Sequence, residues 1–415
     1  MATFLRELLA TWRAAFTDAG TVLLLVIAPV IYGFFYPWPY STEVAQRVPV
    51  AVVDLDHSAL SRQITRFAQA SPRLAVQTLA SEAEAKQAFW EGRIVGYAVL
   101  PRDLKRDVLR GRQAVVPVAA NGSYLLLNKT VLYGFAEAVG TVSAGIELRQ
   151  LGARGVAPDV ANALRDPVPL QAVAQFNPAE GYGSSLVPAV AMLILQQTLL
   201  MAAGMLIGTW AEQEAESEPE PVLRQQLQNS GALRVTDGPE SGHAPASHEG
   251  SMPAAAPPLL RTTAAGWTAR VVALAVPNAL LGAFYFGWLF QWQGYGHGGN
   301  VPASVLLIAL FSLACAALGC LLGLALRNRE RAMQLLLFGA LPLFFLSGHP
   351  WPVSALPEAL QLLRWLSPST PAIEASIRLN QMGASLADVA PQMLALAVLG
   401  ATGFAALIRL GSKRR

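Results

Sequence analysis

The run LVPAVAMLILQQTLLMAAGMLIGTW, residues 186–210, contains no charged side chain. An α-helix needs roughly 20 predominantly apolar residues to cross the ~30 Å hydrocarbon core of a bilayer. The run meets that length, so it predicts a membrane-spanning helix.

The whole chain shares this apolar character. Its 415 residues are 53% hydrophobic and only 14% charged, with a mean hydropathy of +0.40. Ordinary soluble proteins of this length are more polar. Further apolar runs lie at residues 21–36, 271–290, 301–326, 333–347 and 389–408. We predict six spans, of which 333–347 is the shortest and needs help from neighbouring helices to cross.

Basic residues predict the orientation of these spans. They cluster at Arg6 and Arg13, at Arg261 and Arg270, at Arg327, Arg329 and Arg331, and at Arg409, Lys413, Arg414 and Arg415. Short loops rich in Lys and Arg stay in the cytoplasm. With six spans, all four clusters fall on one side, which predicts a multi-pass membrane protein with both termini cytoplasmic. The net charge of +3 reflects this bias and gives no reason to expect nucleic-acid binding.

The segment between the first two spans has a different pattern. Strand-like runs such as VPVAVVD (48–54) and IVGYAVL (94–100) alternate with helix-like segments, which is typical of a layered α/β domain. The predicted fold is therefore a polytopic α-helical membrane protein of about six transmembrane helices, with an extracytoplasmic α/β domain inserted between the first two spans.

The predicted organisation has eight parts. They are a cytoplasmic amphipathic helix (1–20), the first span (21–40), the extracytoplasmic, periplasmic α/β domain (41–183), the second span (184–210), a largely disordered cytoplasmic loop (211–266), spans three to five (267–347), a re-entrant or interfacial helical hairpin (348–388), and the sixth span with a basic cytoplasmic tail (389–415). The loop is predicted to be disordered because it is acidic at its start, then rich in Pro, Ala, Gly and Ser, and has too few apolar residues for a core.

Asp54 and Asp56 follow the first predicted strand and precede a helix. One interpretation makes Asp54 a phosphoryl-accepting nucleophile of a phosphatase-like site. The other makes this segment a strand end and a helix cap, in which short polar side chains satisfy free amide groups. We favour the cap, since a periplasmic face offers no ATP and no further acidic cluster follows to hold magnesium.

Polar residues inside the predicted spans are a second group of candidates. Gln196, Gln197 and Asn278 lie in hydrocarbon, where a polar group must face protein or water. They line a translocation path in one interpretation and bridge helices by hydrogen bonds in the other. Glu374 and Arg378 lie four apart on a short predicted helix, a spacing that brings opposite charges together. This pair is either a gate on the exported side or two solvated surface charges.

Motifs for bound cofactors are missing from the sequence. No GxxxxGK[ST] phosphate-binding loop occurs. The two cysteines, Cys315 and Cys320, fall on different faces of one predicted helix, so they cannot bind a metal together. We therefore predict no catalytic, cofactor-binding or metal-binding residues in this chain.

Three stretches resemble a known family. VPVAVVDLDHSALSR follows the first span, EAKQAFWEGRIVGYAVLPRDLKRDVLRG lies further along, and FLSGHPWPVSALPEALQLLRWLSPSTPAIEASIRL precedes the last span. Together they are similar to the membrane subunits of ABC exporters of the second exporter type, in the branch of drug and lipid permeases with a large exported domain. The third stretch is the most specific, and the likeness covers nearly the whole chain outside residues 211–260.

The resemblance implies a permease subunit of the bacterial inner membrane that exports an amphipathic or hydrophobic, drug-like or lipid-like substrate. Its expected partners are cytoplasmic ABC ATPase subunits that bind ATP-Mg, a second permease subunit in a homodimer or paralogous heterodimer, membrane lipid, and a periplasmic adaptor with an outer-membrane channel. ATPase coupling is expected at Arg6 and Arg13 of the amphipathic helix, at Trp210 where the second span ends, and at Glu212 in the loop that follows. A membrane-anchored receptor or scaffold, with an extracytoplasmic domain that binds a ligand or partner, is the alternative.

Overall fold

The computed structural model describes residues 1–217, 260, 262–296 and 299–412. Most of the insertion predicted to be disordered, together with Arg261 and the basic residues Lys413, Arg414 and Arg415, lies outside the described residues. The chain divides into two compact units. The first comprises Met1–Ser41 and Tyr182–Arg415, and the second comprises Thr42–Gly181.

The described secondary structure is mainly helical. The helices are α1 (Ala2–Thr17), α2 (Ala19–Val22), α3 (Ala28–Phe35), α4 (Ala59–Ala70), α5 (Glu82–Trp90), α6 (Leu104–Leu109), α7 (Leu125–Ala153), α8 (Pro158–Arg165), α9 (Tyr182–Ser217), α10 (Ala264–Phe284), α11 (Phe290–Trp292), α12 (Val301–Leu326), α13 (Arg329–Leu346), α14 (Glu358–Leu363), α15 (Ser369–Asn380) and α16 (Ala390–Ser412). The strands are β1 (Val48–Asp54), β2 (Leu74–Leu79), β3 (Gly96–Leu100) and β4 (Val118–Ala120). Leu23–Ile27 joins α2 to α3, and Tyr285–Leu289 joins α10 to α11, as π-helical segments.

Within the described residues, six helices are long and apolar enough to cross a membrane. They are Ala19–Tyr40, Leu125–Ala153, Tyr182–Glu216, Ala264–Trp292, Val301–Leu326 and Ala390–Gly411. Five of them contain predicted spans. The sixth, Leu125–Ala153, was not predicted as a span, and the predicted run 333–347 is not in this set because α13 begins with charged residues.

Helix α7 belongs to the core of the second unit. Val131, Phe135 and Val142 pack with apolar residues of β1 and α4. A helix that covers a sheet in this way is already buried on one side by protein. Its length and composition therefore reflect its place in a globular core, and we do not treat it as a span.

Helix α13 packs against α9 and runs in the opposite direction. Arg329, at its start, donates to Thr209, its Leu336 carbonyl accepts a hydrogen bond from Gln197, and beyond its end His349 interacts with the Ser185 backbone. From Ser185 to Thr209, α9 extends roughly 36 Å at the α-helical rise. The segment that begins with α13 therefore covers the same distance, although its sequence looks too short for a span.

Small residues allow α9 and α12 to pack closely. A Cβ on Gly323 would lie 2.6 Å from the Gly204 carbonyl oxygen, and one on Gly319 would lie 2.7 Å from the Ala203 Cβ. Glycines at such contacts let two helix backbones approach, a common way for membrane helices to associate. The small residues of α12 are therefore used for packing within the chain.

The segment between α13 and α16 contains α14, α15 and short 3₁₀ turns at Val353–Ala355 and Arg364–Leu366. Nearly all of α15 is buried in the first unit, where it packs against α9, α12 and α16. Irregular backbone at membrane depth requires cover by protein or water. Protein covers α15, whereas the irregular stretch before it is largely exposed, with Trp351 54% and Leu366 66% accessible.

The second unit contains a four-stranded sheet in the order β2-β1-β3-β4. Strand β1 pairs in parallel with β2 and β3, and β4 pairs antiparallel to β3. Alternate residues of β1 point to opposite faces: Val50 and Val52 pack with α4 and α7, whereas Ala51 and Val53 pack with α5. The near-continuous apolar sequence of β1 follows from burial on both faces.

Candidate functional site

Two ion pairs tie the amino-terminal helix and its end to distant helices. Glu7 of α1 accepts hydrogen bonds from Arg270 of α10, with its Oε2 3.0 Å from Nη2 and 3.3 Å from Nε. Asp18, which follows α1, pairs with Arg329 at the start of α13, with N···O distances of 2.8 and 3.1 Å. The start of the chain is thus tied to two helices of the first unit.

Arg270 is fully buried, with 0% of its side chain exposed. Its guanidinium lies over two indole rings, 5.2 Å from the centroid of Trp210 and 4.8 Å from that of Trp267. Aromatic faces and a carboxylate both favour a buried guanidinium, whose desolvation is otherwise costly. Trp12 adds a second link between α1 and α10, since its indole N–H donates to the Ala273 carbonyl at 2.6 Å.

Asp18 has two roles. Its Oδ2 accepts hydrogen bonds from the backbone N–H and the hydroxyl of Thr21, both at 2.7 Å, so it caps α2. Burial alone would raise the pKa of Asp18, but the hydrogen bonds from Arg329 and Thr21 outweigh it and lower the pKa below the usual value. Asp18 therefore stays ionised where the first spanning helix begins.

Glu212 ties the end of α9 to the turn between α12 and α13. Its Oε1 accepts hydrogen bonds from the Asn328 side chain at 2.6 Å and from the Arg329 backbone N–H at 3.1 Å. Asn328 in turn caps α13 by accepting from the Arg331 backbone N–H at 2.8 Å. We call this set of contacts the terminal network: Glu7, Asp18, Thr209, Trp210, Glu212, Trp267, Arg270, Asn328 and Arg329.

Two of the four residues predicted for ATPase coupling lie in the terminal network. Trp210 stacks on Arg270, and Glu212 bonds to the turn before α13. Arg6 and Arg13 lie on the exposed side of α1 and take no part in it. Neither Glu7 nor Asp18 was predicted from the sequence, although the position of Asp18 just before the apolar run 21–36 was an available signal.

The three intramembrane candidates each bond to another part of the first unit. Gln196 accepts from the Ser369 backbone N–H at 2.5 Å, Gln197 donates to the Leu336 carbonyl at 3.1 Å, and Asn278 donates to the Ser312 hydroxyl at 3.0 Å. All three are buried inside the chain. This geometry is that of the helix-bridging alternative, and a role along a translocation path stays a prediction.

The expected pair of Glu374 with Arg378 is wrong. Glu374 pairs instead with Arg364, at 2.9 Å between Oε1 and Nη1, and accepts from the Gln392 side chain at 3.3 Å. Arg378 is exposed and donates to the Asp388 carbonyl at 3.3 Å. Only 9% of the Arg364 side chain is exposed, so an unpaired charge would cost more there than at Arg378. The carboxylate therefore pairs with the buried cation.

Asp54 serves as a structural acceptor in the second unit. Its carboxylate accepts hydrogen bonds from the backbone N–H groups of Asp56 and His57 and from the Ser61 hydroxyl. Asp56 accepts from the Lys105 backbone N–H at 3.2 Å. These contacts, with Ser58 as the cap of α4, match the interpretation of this segment as a strand end and helix start.

Comparison with known proteins gives one family and a small number of relatives. The chain matches the sequence profile of the ABC-2 family transporter proteins over residues 20–216 and 262–409. It is 28% identical over 144 residues to the inner membrane transport permease YhhJ of Escherichia coli strain K12 and, over the same length, to its counterpart of the same name in Shigella flexneri. The alignments cover 34% of this chain and 37% of each relative, little more than a third of the relatives' length.

Proposed function

This chain belongs to the ABC-2 family of transporter proteins, and we propose from that membership that it is the membrane-spanning permease subunit of an ATP-binding-cassette exporter. The single observation that carries this proposal is the family match, which includes every span of the first unit and the whole second unit. The relatives are named as inner membrane transport permeases, which supports the same role and a location in the bacterial inner membrane.

The proposed energy source is a separate subunit. The sequence has no phosphate-binding loop of the GxxxxGK[ST] type. In this proposal, cytoplasmic ATPase subunits bind ATP-Mg, and a second permease subunit, identical or paralogous, completes the transport path.

The terminal network supports a coupling role for the end of the first unit that carries α1. It joins α1, the end of α9, the start of α10 and the start of α13 through charged and aromatic contacts. A force applied by a docked subunit to α1 would move α10, since separating Glu7 from Arg270 would leave a buried charge unpaired. Trp210 and Glu212 are the predicted coupling residues that this arrangement favours.

The proposed orientation places that end in the cytoplasm. Basic residues concentrate there, at Arg270, Arg327, Arg329, Arg331 and Arg409. The other end of the spans carries aromatic contacts, including Tyr40 with Tyr182 and a parallel stack of Trp288 on Trp292. Lys and Arg mark cytoplasmic ends, and Trp and Tyr mark membrane interfaces. The second unit would then lie in the periplasm, where an adaptor and outer-membrane channel could bind.

The proposed cargo is amphipathic or hydrophobic, either drug-like or lipid-like. The intramembrane polar residues Gln196, Gln197 and Asn278 are neutral, and each makes at least one hydrogen bond within the chain. A charged, water-soluble substrate would call for charged groups along its path. The alternative is a membrane-anchored receptor. A receptor needs no substrate path and would show no transport.

Charge reversal at Asp18 and Arg329 tests the proposal. The chain would be co-purified with its ATPase partner, reconstituted in liposomes, and assayed for ATP hydrolysis and for export of a lipophilic dye. We expect Asp18→Arg and Arg329→Asp each to reduce export coupled to hydrolysis, and the double reversal to restore it partly. The matched control, Arg66→Gln on the exposed side of α4, should leave export unchanged.

Hydrolysis by the isolated chain, or the absence of any transport by the complete complex, would contradict the permease assignment. Equal export by both single reversals and the wild type would contradict the coupling role of the terminal network and leave the permease assignment intact.

A further inference from the structure

Helix α1 has three distinct faces. One face packs on α10 and the neighbouring spans and contains the buried Thr11 and Ala15. A second is apolar and exposed, with Leu5 50%, Leu9 60% and Phe16 52% accessible. The third face lies next to the apolar row and carries Arg6 and Arg13, both exposed.

The tertiary contacts separate the charges of this segment. By sequence α1 and the residue after it are balanced, with two arginines and two acidic residues. In the structure both acidic side chains point inward, Glu7 to Arg270 and Asp18 to Arg329. Arg6 and Arg13 are therefore the charged side chains of α1 that remain exposed, and they lie beside an apolar row.

The contacts of α1 also set its depth. Its Trp12 donates to the carbonyl of Ala273, and Ala273 lies within the candidate span Ala264–Trp292. A helix bound to the first turns of a spanning helix lies at the boundary between headgroups and acyl chains. Exposed leucine and phenylalanine side chains are stable there, and adjacent arginines reach the phosphate groups.

We propose that the outer face of α1 is a binding surface for anionic phospholipid of the cytoplasmic leaflet. Leu5, Leu9 and Phe16 insert among the acyl chains, and Arg6 and Arg13 bind the headgroup phosphates. Charge complementarity favours anionic lipid over zwitterionic lipid. The exposed arginines attract a net negative headgroup, and zwitterionic lipid has no net charge. This assigns Arg6 and Arg13 to lipid, whereas the sequence analysis placed them at an ATPase contact.

Site-specific quenching tests the proposal on the full chain. Cys315 and Cys320 are buried, so a fluorophore can be attached to a new cysteine at the exposed Thr17, one turn beyond Arg13. The labelled chain is placed in nanodiscs of phosphatidylcholine that contain increasing fractions of brominated phosphatidylglycerol or, in parallel, brominated phosphatidylcholine. We expect brominated phosphatidylglycerol to quench at a lower mole fraction, which indicates local enrichment of the anionic lipid.

Three variants identify the groups responsible. Arg6→Gln with Arg13→Gln should raise the mole fraction of phosphatidylglycerol needed for half-maximal quenching by about tenfold or more, from the usual contribution of two basic residues at an anionic surface. Arg66→Gln with Arg110→Gln removes the same charge from exposed positions of the second unit and should change nothing. Leu9→Ser with Phe16→Ser should reduce quenching by both brominated lipids, because the apolar row no longer inserts.

Equal quenching by the two lipids in the wild type would overturn the proposal. An unchanged preference for phosphatidylglycerol in the double arginine variant would also overturn it. If that variant keeps its lipid preference but loses its ATPase partner, the two arginines serve a protein contact instead. A preference that weakens at high salt supports it, since screening acts on exposed charges. None of these outcomes depends on transport, so the proposal can fail while the permease assignment stands.

Discussion

The carboxylate of Asp18 and the guanidinium of Arg329, 311 positions apart in sequence, meet with an Nη1···Oδ1 distance of 2.8 Å. The pair joins the start of the first spanning helix to the start of α13. It also places Arg329 beside Thr209 of α9, so one cation links three helices at the same end of the first unit.

This pair predicts a pH dependence of stability. The folded-state pKa of Asp18 lies below its ordinary value of 3.8, with burial opposing and the bonds from Arg329 and Thr21 dominating. The stabilisation is therefore present above pH 3.8 and is lost as the pH falls through the lower folded-state value. Thermal unfolding of the detergent-solubilised chain between pH 6 and pH 3 should show an acid-dependent loss that Asp18→Asn reduces. An identical pH profile for the variant and the wild type would rule out this role.

Glu7 should stabilise the fold through its ion pair with Arg270. Glu7→Ala leaves Arg270 buried without its carboxylate, and we expect it to lower the free energy of unfolding by about 3 kcal/mol. Glu7→Leu combined with Arg270→Met should recover most of that loss, since an apolar pair of similar size suits the site. The control is Glu137→Ala at an exposed position of α7, and unfolding midpoints measure all three. A double variant no more stable than Glu7→Ala would contradict the argument.

Glu374 and Arg378 should respond differently to substitution. Glu374→Ala removes the partner of the nearly buried Arg364, and we expect a loss of about 3 kcal/mol in stability together with reduced export. Arg378→Ala removes an exposed side chain bonded to one carbonyl and should stay within about 0.5 kcal/mol of the wild type. Unfolding midpoints and dye export decide between them. The reverse order of effects would restore the exported-side gate of Glu374 with Arg378.

Asp54 and Asp56 should be dispensable for transport. Each mainly accepts hydrogen bonds from nearby backbone or hydroxyl groups, so Asn at both positions should cost about 1 kcal/mol, as for a weakened cap. Export by the reconstituted complex should stay near the wild-type rate. Complete loss of function in a variant that still folds would revive the phosphotransferase interpretation.

Gly323 should not tolerate a side chain. An added Cβ would lie 2.6 Å from the Gly204 carbonyl oxygen, so Gly323→Ala should destabilise the first unit by about 1 to 3 kcal/mol through overpacking. Gly339→Ala is the matched control on α13, because no atom lies within 4 Å of an added Cβ there. If both variants unfold at the same temperature, close packing at Gly323 is unimportant.

The sequence alone determined the membrane character of the chain and most of its spans. Five predicted runs lie in helices long enough to cross a bilayer, because length and hydropathy decide membrane insertion locally. The resemblance read from three stretches also agrees with the family match. These properties depend on residues close together in the chain, so no tertiary contact is needed to recognise them.

Tertiary structure decided everything that depends on partners far apart in sequence. Helix α7 has the composition of a span, yet it packs on a sheet. Helix α13 looks too short for a span, yet it packs along α9 from Thr209 to Gln197. Glu374 pairs with the buried Arg364 and not with the exposed Arg378, because an unpaired charge is less stable in the buried position. For the same reason Glu7 and Asp18 turn inward to Arg270 and Arg329, and only the folded chain shows that the outer face of α1 is left cationic.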